Sequence, residues 1–107
     1  MSKNQKKTFK ITCYCTACNS PKGSRDTASG EMATEGVTVA VHPSLYSKNK
    51  VINIDGIGQR KIQDKHGNTA DVIDVYVGEC KKCQCSKHPF SGKKCEVSGL
   101  WIIADKH

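Results

Sequence analysis

The sequence predicts an all-β fold, a small barrel of six strands, and three observations lead to this prediction. The chain has 107 residues, which suits one domain with one core. Its eight Val and eight Ile stand against two Leu, and β-branched side chains favour pleated strands over helices. Turn signals recur about every ten residues, as expected for short consecutive strands. A closed barrel also leaves no strand edge exposed.

Each predicted strand is a short apolar or alternating segment between turn residues. Residues 1–8 are polar and basic, and we expect a disordered tail there. Residues 9–107 are expected to form one domain that contains a Cys-rich insert at 80–95. The predicted strands are Phe9–Cys15, Val37–Val41, Lys50–Ile54, Gln59–Gln63, Asp71–Val77 and Leu100–Ile103.

Charge and composition narrow the class of protein. Seventeen basic residues against ten acidic ones give a net charge of +7, which favours anionic partners. No apolar run approaches the roughly 20 residues that cross a bilayer, so we expect no membrane span. The basic start, Met1–Lys10, is followed by no apolar stretch, so no signal peptide is visible. Nothing in the sequence indicates an oligomeric state.

The seven cysteines form two clusters of mirrored spacing and one outlier: Cys13-x-Cys15-x2-Cys18, Cys80-x2-Cys83-x-Cys85 and Cys95. Two C-x2-C knuckles supply four thiolates for a tetrahedral structural zinc site. The predicted ligands are Cys15, Cys18, Cys80 and Cys83, with Cys13, Cys85 and Cys95 as substitutes or a second pair. Disulfides that clamp two chain ends, or buried thiols, are the alternatives. In each case the cysteines have a structural role and clamp loops at one edge of the barrel.

Five short motifs occur in one order along the chain: Tyr14–Cys18, Thr27–Gly30, Glu35–Pro43, Ile62–Asp64 and Ile73–Tyr76. In this order they resemble the 3D (Asp-Asp-Asp) domain family, over roughly 9–103. The resemblance implies a double-psi β-barrel, related to the catalytic barrel of MltA-type lytic transglycosylases. Such domains occur in Gram-positive wall-remodelling proteins and in phage-encoded proteins. The implied location is therefore the cell wall, the extracellular space or a virion.

The resemblance also implies where a site lies. The three aspartate positions of the family fall on His42, Asp64 and Asp74, so a histidine stands at the first of them. The implied partners are peptidoglycan glycan strands, and anionic wall polymers suit the basic charge. The implied chemistry is cleavage of the bond between N-acetylmuramic acid and N-acetylglucosamine, with a 1,6-anhydro product and no cofactor.

A single carboxyl group performs both proton transfers in that reaction, and Asp74 is the predicted acid and base. It alternates along its strand with the apolar row that contains Ile73 and Val75, so it opens toward a groove. Asp64 is the predicted supporting carboxylate, which holds Asp74 protonated. The alternative is that both are ordinary surface residues of a strand and a turn.

Four further residues are predicted to contact the sugar. They are Thr27, Ser29, His42 and Tyr76. The alternative is that Thr27–Gly30 is an ordinary turn sequence and that His42, which precedes Pro43, caps a loop. Trp101 is expected to pack in the core or at its rim.

Two alternative functions stay open. One is a wall-binding or virion structural barrel without catalysis. The other is a zinc-ribbon module that binds nucleic acid. Nucleic acid is disfavoured, because the lysines are scattered and only six aromatic residues are available for stacking on bases.

Overall fold

The computed structural model describes residues 6–16, 26–78 and 85–99. Within these ranges the chain forms a closed barrel with the strand order β1-β5-β2-β4-β3-β6. The strands are β1 (Lys7–Tyr14), β2 (Thr38–Val41), β3 (Lys50–Ile54), β4 (Gly58–Lys65), β5 (Val72–Tyr76) and β6 (Lys94–Ser98). The predicted all-β, six-stranded closed barrel is confirmed.

The barrel contains both parallel and antiparallel pairs of strands. The pairs β1–β5 and β2–β4 are parallel, and the other four pairs are antiparallel. Parallel neighbours need long crossover connections, which is why strands distant in sequence lie side by side. The double-psi form of the barrel stays a prediction.

The inward-facing side chains form one apolar core of β-branched and aromatic residues. Its members are Phe9, Ile11, Val39, Val41, Ile52, Ile54, Ile62, Ile73, Val75, Cys95 and Val97. Every strand contributes to this core. The excess of Val and Ile in the sequence is therefore explained, because such residues pack well on the concave face of a small barrel.

A second, smaller cluster lies on the other face of the sheet and contains Tyr14, Ala33, Ala40 and Tyr76. The two tyrosine rings meet edge to face with their centroids 5.3 Å apart. Because this cluster covers β2, β5 and the C-terminal end of β1 from outside, these segments are largely buried on both faces, whereas the start of β1 is exposed on its outer face.

Two predicted boundaries are corrected. The first strand begins at Lys7, inside the predicted tail 1–8, because Lys7 and Thr8 pair with Val97 and Glu96 of β6. The last strand of the barrel is Lys94–Ser98, part of which was assigned to the Cys-rich insert 80–95.

The strand β6 was missed because its alternating segment is short, with Cys95 and Val97 as its apolar residues, and Cys95 was grouped with the other cysteines. Cys95 and Val97 face the core, and the residues between and around them are polar. The predicted strand Leu100–Ile103, with Trp101, lies outside the described residues.

Two short 3-10 helices join strands. One, Pro43–Leu45, follows β2 and is capped by the His42 side chain, which accepts from the Ser44 N–H. The other, Cys85–Lys87, packs against β1. No helix in the ranges that the structure describes is long and apolar enough to span a bilayer.

Candidate functional site

Two carboxylates flank one small residue of β2 on the outer face of the sheet. Ala40 pairs with Asp74 across the antiparallel β2–β5 ladder and with Asp64 across the parallel β2–β4 ladder. Neighbouring strands lie about 4.8 Å apart, so the two aspartate backbones are about 10 Å apart. Ala40 itself is buried and packs with Tyr14, Ala33 and Tyr76. The structure thus brings the two predicted catalytic aspartates to one face.

A β-bulge places Asp64 on the same face of the sheet as Ala40 and Asp74. The β2–β4 register shifts between Val39, which pairs with Ile62, and Ala40, which pairs with Asp64, so Gln63 is the additional residue. A bulge reverses the facing of the residues that follow it, and bulges are common beside functional sites. Without it, the strict alternation after Ile62 would turn Asp64 toward the barrel core.

The side chain of Gln63 fixes the bulge through a buried hydrogen-bond network. Its Oε1 accepts from the Thr38 hydroxyl at 2.6 Å. Its Nε2 donates to Oε1 of Glu31 at 2.9 Å and to Oδ1 of Asn49 at 3.0 Å. Gln63 and Thr38 are both almost fully buried. Every hydrogen-bonding atom of the Gln63 amide is therefore engaged, which holds the backbone before Asp64 in one conformation.

Asp74 lies in a partly buried position that favours its protonated form. Burial is the largest effect and raises the pKa of Asp74, and the Asp64 carboxylate raises it further. The hydrogen bond that Asp74 Oδ1 accepts from the Thr12 hydroxyl at 2.9 Å, and the nearby His66 ring, oppose this rise in the pKa. The net direction is upward, as a group that donates a proton near neutral pH requires.

Asp64 is partly buried, as Asp74 is, and it accepts hydrogen bonds from backbone N–H groups. Its Oδ1 accepts from Ala28 at 3.1 Å and from Lys65 at 2.9 Å. Charge-assisted bonds of this kind orient a carboxylate. The two aspartates thus differ: one is shielded beside a hydroxyl, and the other is held by amides.

The buried hydroxyl of Tyr14 lies beside the carboxylate pair. Tyr14 is 7% exposed, and its hydroxyl has no hydrogen-bond partner of ordinary geometry in the described ranges. Burial, together with Asp64 and Asp74, raises the pKa of Tyr14. The Tyr14 hydroxyl therefore faces the Asp64 carboxylate, an acceptor within the protein.

The predicted sugar-contact residue Tyr76 is buried, at 3% exposure, and its hydroxyl pairs with the hydroxyl of Thr16. Its ring packs against Tyr14 on the same face as Asp74. Tyr76 therefore supports the wall of the site with its ring, and its polar atom is engaged within the protein.

Two histidines lie at the other end of the same face. The rings of His42 and His66 meet edge to face, with centroids 6.4 Å apart. His66 Nε2 donates to the Val72 carbonyl at 2.7 Å, and its Nδ1 accepts from the Asn68 N–H at 3.0 Å. These two bonds fix the orientation of the His66 ring. His42 is thus placed at the site, and His66 ties the end of β4 to the start of β5.

The Thr-Ala-Ser-Gly turn docks on the same end of β4. Ser29 N–H donates to the Gln63 carbonyl at 2.9 Å, next to the bond from Ala28 to Asp64. The Thr27 hydroxyl lies 2.8 Å from the Ser29 hydroxyl and donates to the Glu31 carbonyl at 2.5 Å. The turn is therefore part of the site, and its hydroxyls bond within the turn as ST-type turns do.

The predicted zinc site falls mostly outside the described ranges, which omit Cys18, Cys80 and Cys83. Cys15, Cys85 and Cys95 are buried, and Cys13 is partly buried. Burial, then Asp74 and Cys85, raise the pKa of Cys13 to about 11. Among the described residues, no group of three or more His, Cys, Asp or Glu side chains is arranged to hold a metal. Zinc coordination stays a prediction.

Comparison with known proteins gave no matching family model, no similar curated protein and no similar solved structure.

The sequence alone did not identify three residues of this face: Thr12, Tyr14 and Ala40. A usable signal existed for the first two, because they alternate along β1 on the face opposite Phe9 and Ile11. No local signal marks Ala40, whose importance depends on its two pairing partners. His66 is a further residue that the sequence patterns did not mark, and both of its ring nitrogens are hydrogen-bonded.

Proposed function

We propose that this protein binds peptidoglycan glycan strands and cleaves them as a lytic transglycosylase, with Asp74 as the acid and base. The observation that carries the proposal is the pair of unlike carboxylates on either side of Ala40. The ordered motifs that resemble the 3D domain family support the same function. The net charge of +7 suits adherence to anionic wall polymers.

The chemistry uses one carboxyl group twice. Protonated Asp74 donates its proton to the glycosidic oxygen as the bond from the anomeric carbon to that oxygen breaks. Positive charge then develops on the sugar ring, and the Asp64 carboxylate stabilises it. The ionised Asp74 next accepts the proton of the sugar's own 6-hydroxyl as that oxygen bonds to the anomeric carbon. The product is a 1,6-anhydro ring, and no water is consumed.

The environment of Asp74 supports this role. Partial burial raises its pKa, so a protonated population persists at higher pH than for an exposed aspartate. The Thr12 hydroxyl fixes one of its oxygens, which leaves the other for the substrate. Asp64 is oriented by two backbone N–H groups and carries the second charge.

His42 changes the charge of the site. It stands at the first aspartate position of the resembled family and packs beside His66. A histidine in place of an aspartate removes one negative charge from this end of the site. A barrel that binds wall glycans without cleaving them is the second candidate function, and this substitution is the observation that favours it.

Digestion of purified sacculi tests the proposal. We expect the unchanged chain to release 1,6-anhydro-muropeptides, which mass spectrometry detects. The control variant Asp55→Asn, at an exposed position, should release the same product. Asp74→Asn should lower product by about a hundredfold or more, because an amide keeps the shape and cannot cycle a proton.

Three results would contradict the catalytic proposal in different ways. If the protein sediments with sacculi but releases no product, the non-catalytic wall-binding barrel is the remaining candidate function. If Asp74→Asn and Asp55→Asn release equal amounts of product, Asp74 is not the acid and base of the reaction. Binding to nucleic acid with a steep salt dependence, and none to sacculi, would exclude both wall functions.

A further inference from the structure

Two lysines stand directly opposite each other across the β1–β6 ladder, on the outer surface of the barrel. Lys10 pairs with Lys94, and both side chains are exposed. At the next position Ile11 donates its N–H to the Lys93 carbonyl at 2.7 Å, which makes that position a hydrogen-bonded pair. The Lys10–Lys94 pair is therefore of the non-hydrogen-bonded kind, in which the Cα atoms lie about 4.5 Å apart and the side chains are closest.

The fold leaves this pair of charges without an ionic partner. Like charges at directly opposed positions destabilise a sheet. Within the described ranges neither lysine forms an ion pair, and the ion pair found there joins Lys6 to Asp55 at 3.1 Å. The carboxylate of Glu96, the nearest acidic group on β6, accepts from the Thr8 hydroxyl at 3.1 Å. Two repelling charges on an open sheet surface favour a partner that supplies negative charge.

Further lysines border the pair. Lys7 and Lys93 are exposed next to it, and the four lysines together are called the basic surface below. Asp71 lies near this surface: the hydrogen bond from the Thr69 hydroxyl lowers the pKa of Asp71 most, and the charges of Lys7 and Lys10 lower it further. Since Asp71 and Glu96 are the acidic residues beside four lysines, a positive surplus remains.

The basic surface adjoins the aspartate face. Lys10 and Thr12 alternate on the outer row of β1, so they lie about 7 Å apart along the strand. The Thr12 hydroxyl donates to Asp74 Oδ1 at 2.9 Å. A long ligand that crosses the aspartate face can therefore also contact the lysines.

The composition of this surface selects the chemistry of the ligand. Lysine ammonium groups bind phosphate oxygens as point charges on flexible stems, whereas the planar fork of arginine suits carboxylates. The basic surface contains lysines alone. The outer rows of β1 and β6 also hold no aromatic side chain on which a base could stack. These rows are Thr8, Lys10 and Thr12, and Lys94, Glu96 and Ser98. The features favour a flexible phosphate polymer without bases.

We propose that the basic surface binds a linear polyol phosphate polymer, which carries one negative charge in each repeating unit. Lys10 and Lys94 contact neighbouring phosphates, and Lys7 and Lys93 extend the contact along the polymer. The choice of a wall polymer rests on the proposed function, and the lysines that bind it are separate from the carboxylates that cleave glycan. The polymer would hold the protein on the wall with the aspartate face beside it.

Calorimetric titration of the full chain with purified poly(glycerol phosphate) tests the proposal. In about 50 mM NaCl we expect a dissociation constant on the order of 10 μM. Binding should weaken by about tenfold in about 200 mM NaCl, because the contacts release two or three counterions from the polymer.

Two double variants of equal charge locate the binding. Lys10→Gln/Lys94→Gln should weaken it by about tenfold in about 50 mM NaCl and reduce the effect of added salt to about twofold. Lys48→Gln/Lys61→Gln removes the same charge at exposed positions outside β1 and β6 and should change binding by less than about twofold. Loss of the repulsion between Lys10 and Lys94 should raise the melting temperature of the first variant, so weaker binding is not a sign of unfolding.

Three results would overturn the proposal. These are equal effects of the two double variants, binding that does not respond to salt, and tighter binding of an oligothymidylate with the same number of phosphates. The last result would assign the surface to nucleic acid. Poly(glycerol phosphate) contains no glycosidic bond, so its binding is measured independently of sacculus cleavage. Failure here and failure of the proposed cleavage are therefore distinguishable.

Discussion

Asp64 and Asp74 lie on either side of the same residue, Ala40, although they belong to strands that do not touch each other. Asp74 reaches Ala40 through an antiparallel ladder and Asp64 through a parallel one. The bulge at Gln63 turns Asp64 to the outer face. Two carboxylates ten residues apart in sequence thereby share one surface with different surroundings, which is the basis of the predictions that follow.

Replacing Asp74 with Asn should raise the free energy of unfolding at pH 7 and change it little at pH 3. Burial raises the pKa of Asp74 in the folded chain above its ordinary 3.8, so folding disfavours the charged form. The free-energy cost of the charged form is absent at a pH below the pKa of Asp74 in the unfolded chain. It grows as the pH rises toward the pKa of Asp74 in the folded chain, and it is complete above that pKa. Asn removes the charge and still accepts from Thr12.

Urea unfolding between pH 3 and pH 7 measures this effect. Asp55→Asn, at an exposed position, serves as the control and should show no such gain at neutral pH. A stabilisation by Asp74→Asn that is as large at pH 3 as at pH 7 would contradict the assigned cause.

Replacing Thr38 with Val should destabilise the fold by about 2 kcal/mol, because it leaves the buried Gln63 side-chain oxygen and the Thr34 N–H without a partner. The Thr38 hydroxyl accepts from the Thr34 N–H at 2.8 Å and donates to Gln63 at 2.6 Å. Val keeps the shape and removes both bonds. Denaturant midpoints give the measurement. Thr8→Val, which removes an exposed bond to Glu96, should cost less than about 0.5 kcal/mol.

The same Thr38 variant should also disturb Asp64, since the bulge depends on Gln63. Backbone amide shifts of Ala28 and Lys65, which donate to Asp64, report this displacement. Unchanged shifts together with lost stability would show that the network supports the core alone.

Replacing Gly99 with Ala should cost more stability than the same change at Gly56. Both glycines have positive φ, +91° and +86°, where alanine is strained by about 1 kcal/mol. A Cβ on Gly99 would also lie 3.2 Å from the Val51 carbonyl oxygen and 3.3 Å from the Ile52 Cα, whereas nothing lies within 4 Å at Gly56. Backbone atoms of a paired strand move little, so we expect Gly99→Ala to lower the free energy of unfolding by about 2 kcal/mol in total. Equal melting temperatures for the two variants would contradict this close approach.

A chelator should lower the melting temperature if the predicted zinc site exists, and a reductant alone should leave it unchanged. Zinc binding by thiolates couples to folding, so removal of the metal withdraws its stabilisation. Metal analysis and intact mass of the purified protein provide the direct measurement. The opposite pattern, sensitivity to reductant alone, would assign the cysteines to disulfides.

Local patterns in the sequence were sufficient for the barrel and for five of its strands. The β-branched composition and the turn residues act over a few neighbours, so segments such as Lys50–Ile54 are recognisable without knowledge of their partners. The strand Lys94–Ser98 was missed, because its identity depends on pairing with β1, near the start of the chain, and with β3, in its middle.

The sequence by itself determined the class of fold and nominated Asp64 and Asp74 as the carboxylates of a site. Only the tertiary structure decided that both flank Ala40 and that Tyr14 is buried beside them. The physical reason is that side-chain alternation is a local property with a period of two residues. Strand pairing, a bulge and closure of a barrel are set by contacts between residues far apart in the chain.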